Sequence, residues 1–385
     1  MAGLTFALAS IGPTIVVFEA YFTPSQISAA LLLIHVGVAT AVRRAPSAPR
    51  AAAALLLCAA LLGVGVASAP HLNSAAMAFL NFISGTITAV VIGVQAAGAR
   101  TVRLNAIDIG LVTFVAISAA QNFAGTDEAS TAAEVHATLL VAWGGSNYVG
   151  AVLVIVGYWL LARAMEIERG RWVLLLAIVA SFVTAVSTLS RGTIVALSVG
   201  LLVATWNSGG SRFTRVVSRL GVLVVPVVGL WLMNIVVGER FENTSADPAY
   251  NIDARWGLYR LAWDEFLRSP LFGTGWTGLR EVSPALLGSP ITFAHNWYFS
   301  ALQIAGLFAL PMLIVFTWLT LRGVIGAGVY GAPVAAAFTA AMIEPVMEGY
   351  VGALVIVSVL VISSRVRDDR QAEKSVAVRL SSSPT

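Results

Sequence analysis

The chain is poor in charge. Asp, Glu, Lys and Arg make up 11% of its 385 residues, where a soluble domain carries about 25%. That excludes an ordinary water-soluble globule. Cysteine is almost absent: Cys58 stands alone inside an apolar run, so no intramolecular disulfide can form. Lysine is almost absent too, Lys374 being the only one, so the basic set is arginine. The histidines, His35, His71, His136 and His295, fall on separate stretches without ligand spacing, which argues against a histidine-held metal. No Asp-x-Asp motif of the kind that serves a Mg²⁺-dependent transferase occurs, and no internal repeat is visible, in line or inverted.

What the chain has in quantity is hydrophobic residues, 58% of the total. Apolar runs of about 17–25 residues recur along its length, each long enough to cross roughly 30 Å of hydrocarbon. In lipid the backbone must satisfy its own hydrogen bonds, so such runs are helices; an outer-membrane barrel would show short alternating segments instead. The expected fold class is an all-α polytopic membrane protein of about 12 transmembrane helices, near 2–20, 25–42, 51–69, 75–98, 104–121, 148–165, 172–189, 193–206, 216–237, 297–320, 327–343 and 350–364. The first run lacks a basic start and a small-residue cleavage site, and reads as a retained helix and not a signal peptide.

The net charge of +4 sits mainly in short loops. It is a topology signal and not a nucleic-acid footprint. Arg43, Arg100, Arg169, Arg212, Arg322 and Arg365 fall on one side by parity, which the positive-inside rule makes cytoplasmic. Both termini are then expected inside a bacterial cytoplasmic (inner) membrane, crossed many times. The segments 70–74, 122–147, 190–192, 238–296 and 344–349 are expected outside. Residues 1–370 read as one transmembrane domain, and the polar 371–385 as a disordered cytoplasmic tail.

One long polar stretch interrupts the apolar pattern, the outer loop 238–296. It holds Arg240, Arg255, Arg260, Arg268 and Arg280, seven carboxylates, and Trp256, Trp263 and Trp276, and it closes on His295-Asn296. Asp253 is expected to cap a helix running to Arg268, ended by Ser269-Pro270. Trp256, Tyr259, Trp263, Phe266 and Leu267 would form its apolar face. Arg255 and Tyr259 share a face, whereas Arg255 and Arg260 are about 140° apart, so they cannot both face one site. A second short helix is expected between Thr131 and Trp143, along the membrane surface.

Chemistry in this chain has few carriers. Ser289-Pro290 reads as the start of the tenth helix, which puts His295 in its first turns, where a neutral imidazole could act as a general base; the plainer role is an interfacial histidine bound to a loop carbonyl. Arg191 lies in a sharp Ser-Arg-Gly break at the outer surface, and its charge needs an anionic partner. That partner is a diphosphate, which guanidinium groups match bidentately, or a lipid phosphate reached by snorkelling. Arg260 has Asp264 four residues on and an ion pair there is the better expectation. The outer tryptophans could stack on sugars or form an interfacial belt. Asp108 and Glu344 lie near helix ends and read as wetted; only His35 reads as mid-membrane.

Three stretches together resemble the bacterial O-antigen ligase and polymerase superfamily. They are Ser190-Arg191-Gly192 before an apolar run; Arg255 to Gly275, ending Ser-Pro-Leu-Phe-Gly-Thr-Gly; and Ala294-His295-Asn296-Trp297-Tyr298, with Gly306 ten residues after Asn296. The resemblance covers roughly 185–310. It implies a C-type glycosyltransferase fold that needs no metal and no cofactor. Such an enzyme takes a glycan from a polyprenyl-diphosphate-linked donor at the outer leaflet and passes it, with inversion, to the hydroxyl of a glycan or glycolipid acceptor. By position, Arg191 and Arg255, with Arg260 as a further candidate, would hold the diphosphate. His295 would activate the acceptor or steady the leaving group, Asn296 would orient it, and Trp256 and Trp276 would stack on sugar. The partners implied are these lipid-linked glycans and membrane lipids, with no nucleic acid. The competing reading is a flippase or saccharide transporter, whose usual internal repeat and midplane site are not visible. A structural scaffold, or a peptidoglycan-type polymerase using Asp247 or Asp253, are the others.

Overall fold

The computed structural model describes residues 1–11, 15–17, 20–22, 24–42, 50–98, 104–124, 146–188, 190–207, 248–287 and 290–382. The expected ninth crossing at 216–237 and the expected surface helix at 131–143 lie outside them. The described residues are overwhelmingly helical. Five stretches are long and apolar enough to cross a membrane: Leu72–Gly93, Ala106–Phe123, Asn147–Ala164, Trp297–Gly326 and Tyr350–Glu373. Shorter apolar helices lie between them.

In chain order the elements are α1 (Ala2–Ala9), a pair of short antiparallel strands β1 (Ile15–Val17) and β2 (Ala20–Phe22), and α2 (Pro24–Val42). Then come α3 (Arg50–Leu61), α4 (Val64–Ala67), α5 (Leu72–Gly98) and α6 (Ala106–Ala124). Next are α7 (Ser146–Ala164), α8 (Arg171–Ser187) and α9 (Arg191–Asn207). The last group is α10 (Pro248–Arg268), α11 (Gly278–Leu287), α12 (Trp297–Ala305), α13 (Leu310–Gly326), α14 (Gly331–Ile343) and α15 (Tyr350–Ser382).

Several expectations need correcting. The single helix over 2–20 is instead α1 followed by the strand pair, where the β-branched Ile15-Val16-Val17 favour extended backbone and pair with residues 20–22. The expected 51–69 helix is broken at Gly63, whose N–H turns back to the Ala60 carbonyl at 2.9 Å. The tail expected to be disordered from 371 is helix as far as Ser382. Its Arg-Asp-Asp-Arg-Gln-Ala-Glu-Lys sequence is polar but made largely of good helix formers.

The centre of the bundle is α7 and the first half of α15 (residues 350–366), both almost wholly buried. α15 lies along α5 through small residues: Gly85 abuts the Tyr350 carbonyl and Gly93 abuts Val361. Close approach through glycine is how helices pack where lipid and side chain are equally apolar. α8 and α13 lie at the rim. Trp172, Leu176, Val179 and Val183 form one exposed stripe on α8, and Leu310, Ile314, Leu321 and Ile325 one on α13, as expected of lipid-facing sides.

The expected tenth crossing is not one straight helix. α12 ends at Gly306 (φ 58°) and a short 3₁₀ turn leads into α13. The Tyr298 ring stands 6.4 Å from that of Phe316, and its hydroxyl hydrogen-bonds Thr317. In a continuous helix residues 298 and 316 would be about 27 Å apart. α12 and α13 are therefore a hairpin, which lets α12 and the residues before it enter the bundle at the site described next.

Candidate active site where α9, α10 and α14 meet

Four chain segments meet at one end of the bundle. The first is the start of α9. Ser190 caps it, its hydroxyl accepting from the Thr193 N–H at 3.3 Å. Gly192 follows Arg191, and a Cβ on Gly192 would come within 2.7 Å of Glu344 Oε1 and 3.0 Å of Ile343. The glycine of the Ser-Arg-Gly break is thus required for close approach to the end of α14. Arg191 itself is half-buried; among the described residues it has no ion-pair partner.

The second segment is α10. It starts at Pro248, so Asp253 is not its cap, as expected from sequence, but lies within it. Arg255 reaches across to the end of α14: Nη2 donates to Glu344 Oε1 at 3.0 Å and Nη1 to the Ile343 carbonyl at 3.1 Å. Tyr259, one turn on, stacks on Phe299 at 5.3 Å. Its hydroxyl lies 3.5 Å from the His295 carbonyl, a long hydrogen bond. Burial pushes the Tyr259 phenol up, with Arg255 opposing and Glu344 adding to the rise, so it stays a neutral donor.

The third segment is the approach to α12. The helix starts one residue after Asn296 and not at Ser289-Pro290. Asn296 is its cap: the side-chain oxygen accepts from the Tyr298 N–H at 2.9 Å and from Phe299 at 3.4 Å. The Asn296 amide donates to the Met342 carbonyl at 3.0 Å, so its polar atoms are engaged in holding the chain. His295, just outside the helix, has φ 55°, the one positive value at a non-glycine among the described residues. Strained backbone of this kind persists where the surroundings over-determine it and clusters at functional sites. His295 Nδ1 lies 3.4 Å from Glu344 Oε2.

The fourth segment carries Glu344, which closes α14. It is fully buried and touches both Arg255 and His295. The expectation that it is wetted was wrong, and so was the same expectation for Asp108, which is also buried. Glu344 was missed as a site residue. A signal existed: Arg191 has no carboxylate near it in sequence, and Glu344 is a carboxylate in a segment expected on the same face. Four residues on, Glu348 is buried as well. Neither of its oxygens has a well-formed hydrogen bond, and burial pushes its carboxyl up to about 7.

The other candidates fall elsewhere. Arg260 is exposed on the far side of α10 from Arg255, and no ion pair with Asp264 forms among the described residues. Trp256 is exposed, edge-on to Tyr259 at 5.7 Å. Trp276 is fully buried, its Nε1 donating to the Leu62 carbonyl at 3.0 Å and its ring packed on Phe79 and Phe82. It is a core residue and cannot stack on a sugar. The Gly273-Thr274-Gly275 turn before it is stitched to α12, with Gln303 Nε2 donating to Thr274 Oγ1 and the Gly275 carbonyl, both at 2.9 Å. The motif's work is to dock the loop on the hairpin. The apolar face expected for α10 is split: Leu258 and Ala262 face inward with Tyr259, while Trp256, Trp263 and Leu267 face out.

The arrangement is a buried carboxylate that organises a guanidinium and an imidazole. A neutral His295 that gives its Nδ1–H to Glu344 keeps Nε2 as a lone-pair base. Arg255 spends one N–H on Glu344 and one on a carbonyl and has donors left.

Residues 176–314 match the family model described as O-antigen ligase. The matched segment, about a third of the chain, is similar to that family. It contains Arg191, Arg255 and His295 but ends before Glu344, which the fold brings to them from outside. The comparison with curated proteins gave no match. With the apolar helices, the family points to a bacterial membrane protein, and it supports glycan transfer of the O-antigen ligase or polymerase type at a general level.

Proposed function

We propose that the protein transfers a glycan from a polyprenyl-diphosphate-linked donor to an acceptor hydroxyl, with inversion and without a metal, at the outer face of the bacterial cytoplasmic membrane. The observation that carries this reading is the convergence of Arg255 and His295 on Glu344, beside the start of α9 that bears Arg191.

The chemistry follows from the residues. The acceptor oxygen attacks the anomeric carbon as the bond from that carbon to the diphosphate oxygen breaks. The electron pair leaves with the diphosphate, and the hydroxyl proton passes to His295 Nε2. Arg191 and Arg255 would stabilise the charge that gathers on the leaving diphosphate; fixed positive groups aimed at developing charge are a large catalytic term. Glu344 is the positioning residue. It fixes the imidazole so that Nε2 faces the acceptor, and it draws the Arg255 head toward the same point. Arg260 and Trp276 have no part. Asn296 acts through the backbone, by capping α12 and so setting the strained turn at His295.

The test is release of polyprenyl diphosphate by the purified protein in nanodiscs, given a lipid-linked glycan and the native lipid extract, with EDTA present. Release that persists in EDTA and is lost in Arg191→Ala, Arg255→Ala and His295→Ala is expected, and the product's length separates polymerase from ligase. Release unaffected by all three substitutions overturns the site; no release by the wild type, with glycan movement across the bilayer instead, overturns the enzyme.

A further inference from the structure

α10 has two faces, and the transfer chemistry uses only one. Inward, Leu258 and Ala262 are buried against Ala294 and Phe299. Outward, Trp256, Trp263 and Leu267 are 63%, 43% and 56% exposed, at spacings of seven and four that put them in one row. Two exposed tryptophans in one row make a contiguous apolar patch, which marks an interaction surface.

The row does not stop at the end of α10. It passes to Leu271 and Phe272, both exposed. Phe272 stacks on Phe308 with ring centroids 5.7 Å apart and planes 19° from parallel. Phe308 stands at the head of α13, where the exposed stripe that includes Ile314 begins. Exposed apolar side chains therefore follow one another, interrupted by the exposed Arg268, from the head of α13 to the outward face of α10. The charges on that face are Arg260, Asp264 and Arg268, all exposed. Arg268 pairs with Glu265 on its own helix; Arg260 has no ion pair among the described residues. Tryptophan interleaved with arginine matches the headgroup zone of a bilayer, where an indole is half in hydrocarbon and a guanidinium meets phosphate.

We propose that the outward face of α10 is seated in the headgroup zone of the leaflet at the site end. Phospholipid phosphate lies against Arg260, and acyl chains lie against Trp256, Trp263 and Leu267. The seat has a consequence for the transfer reading, on which this last step rests. Arg255 is the neighbour of Trp256 on the same helix, so the depth of the tryptophan fixes that of the guanidinium. A lipid diphosphate in that leaflet then meets Arg255 without being lifted out of the membrane.

The seat is tested without any activity. In a Cys58→Ala background, nitroxide labels are placed singly by Trp256→Cys, Trp263→Cys and Leu267→Cys on the full chain in phosphatidylglycerol-containing nanodiscs. Relaxation by oxygen is compared with relaxation by a water-soluble nickel chelate. Ile314→Cys on the exposed stripe of α13 and Glu281→Cys on the exposed face of α11 are the references. Oxygen outweighing nickel at the three positions, as at 314, is the expected result. A label at Asp264→Cys leaves the tryptophans in place, and is expected to be less open to nickel than one at 281. Nickel access at all four positions equal to that at 281 overturns the seat. So does exclusion of both relaxers with spin–spin broadening between molecules, which would mean that a second copy covers the face. Because the readout is independent of transfer, loss of the transferase reading would leave it standing.

Discussion

The two ends of the bundle each bury an arginine–carboxylate cluster, and they differ in how fully it is satisfied. At the end opposite the site, Arg163 makes a bidentate pair with Asp108, Nε and Nη2 each donating at 2.9 Å. Its Nη1 donates to Glu166 at 2.9 Å, and Tyr330 donates to the same carboxylate at 2.8 Å. The Asn105 N–H adds a bond to Asp108. Arg163 and Asp108 are 6% and 1% exposed at the side chain. In that cluster Arg163 and Asp108 are closed off, while Glu166 reaches the surface at 26% exposed, and it ties α6, α7 and the turn before α14. At the site end the Arg255 side chain is 29% exposed, His295 26%, and Glu344 not at all. The carboxylate is spent, but its two partners keep polar atoms facing outward. Buried ion pairs are weak evidence for stability and strong evidence for constraint. The first cluster constrains the fold, whereas the second leaves partly exposed polar atoms, which the proposed transfer would use.

That difference can be broken from either end. The largest effect is expected at the open cluster: His295→Ala lowers turnover by about 10²–10⁴-fold, the usual worth of a positioned general base, with the melting temperature near wild type. At the closed cluster the loss is of fold. Arg163→Ala leaves Asp108 buried and unpaired and costs about 3–5 kcal/mol, read as a lower melting temperature or failure to accumulate in membranes. Gly192→Ala comes next. Its Cβ would fall 2.7 Å from Glu344 Oε1, so the carboxylate must shift and take Arg255 with it. A displacement near 1 Å in such a site costs about 10²-fold in turnover, with little loss of stability.

The smallest effect is one of pH. Glu348 is neutral in the fold up to about 7, against an ordinary value of 4.5. Between those values the unfolded chain gives up the proton and the folded chain keeps it. Stability therefore falls as pH rises from about 4.5 to about 7, the opposite of a salt-bridged carboxylate. Glu348→Gln is expected to flatten melting temperature against pH across that window.

The sequence made some of this legible and hid the rest. Apolar run length and backbone satisfaction predicted a helical membrane protein, and the described helices α2, α5, α6, α7, α8 and α9 fall where the runs placed them. The three motifs could be read because each has a local geometric job: Gly192 permits close approach, Asn296 caps a helix, and the Gly273 to Gly275 turn docks on α12. What was hidden depends on contacts distant in the chain. The α12–α13 hairpin replaced a continuous helix because hydropathy cannot tell a turn from a crossing when both halves are apolar. Trp276 was read as a sugar platform because nothing local showed that Phe79, Phe82 and the Leu62 carbonyl would enclose it. Glu344 looked wetted because a helix end is usually at the surface; here α9 and α10 cover it.

The most direct measurement is a paired one, melting temperature and donor release for Glu344→Gln beside Asp108→Asn, each of which removes a charge without changing shape. Glu344→Gln should stay folded to within a few degrees and lose at least tenfold in release, because Arg255 and His295 lose their common anchor. Asp108→Asn should melt far lower and keep its release per folded molecule. If Glu344→Gln melts as Asp108→Asn does, or transfers as wild type does, the open cluster is only a second structural tie, and the account of this end of the molecule as the transfer site is contradicted.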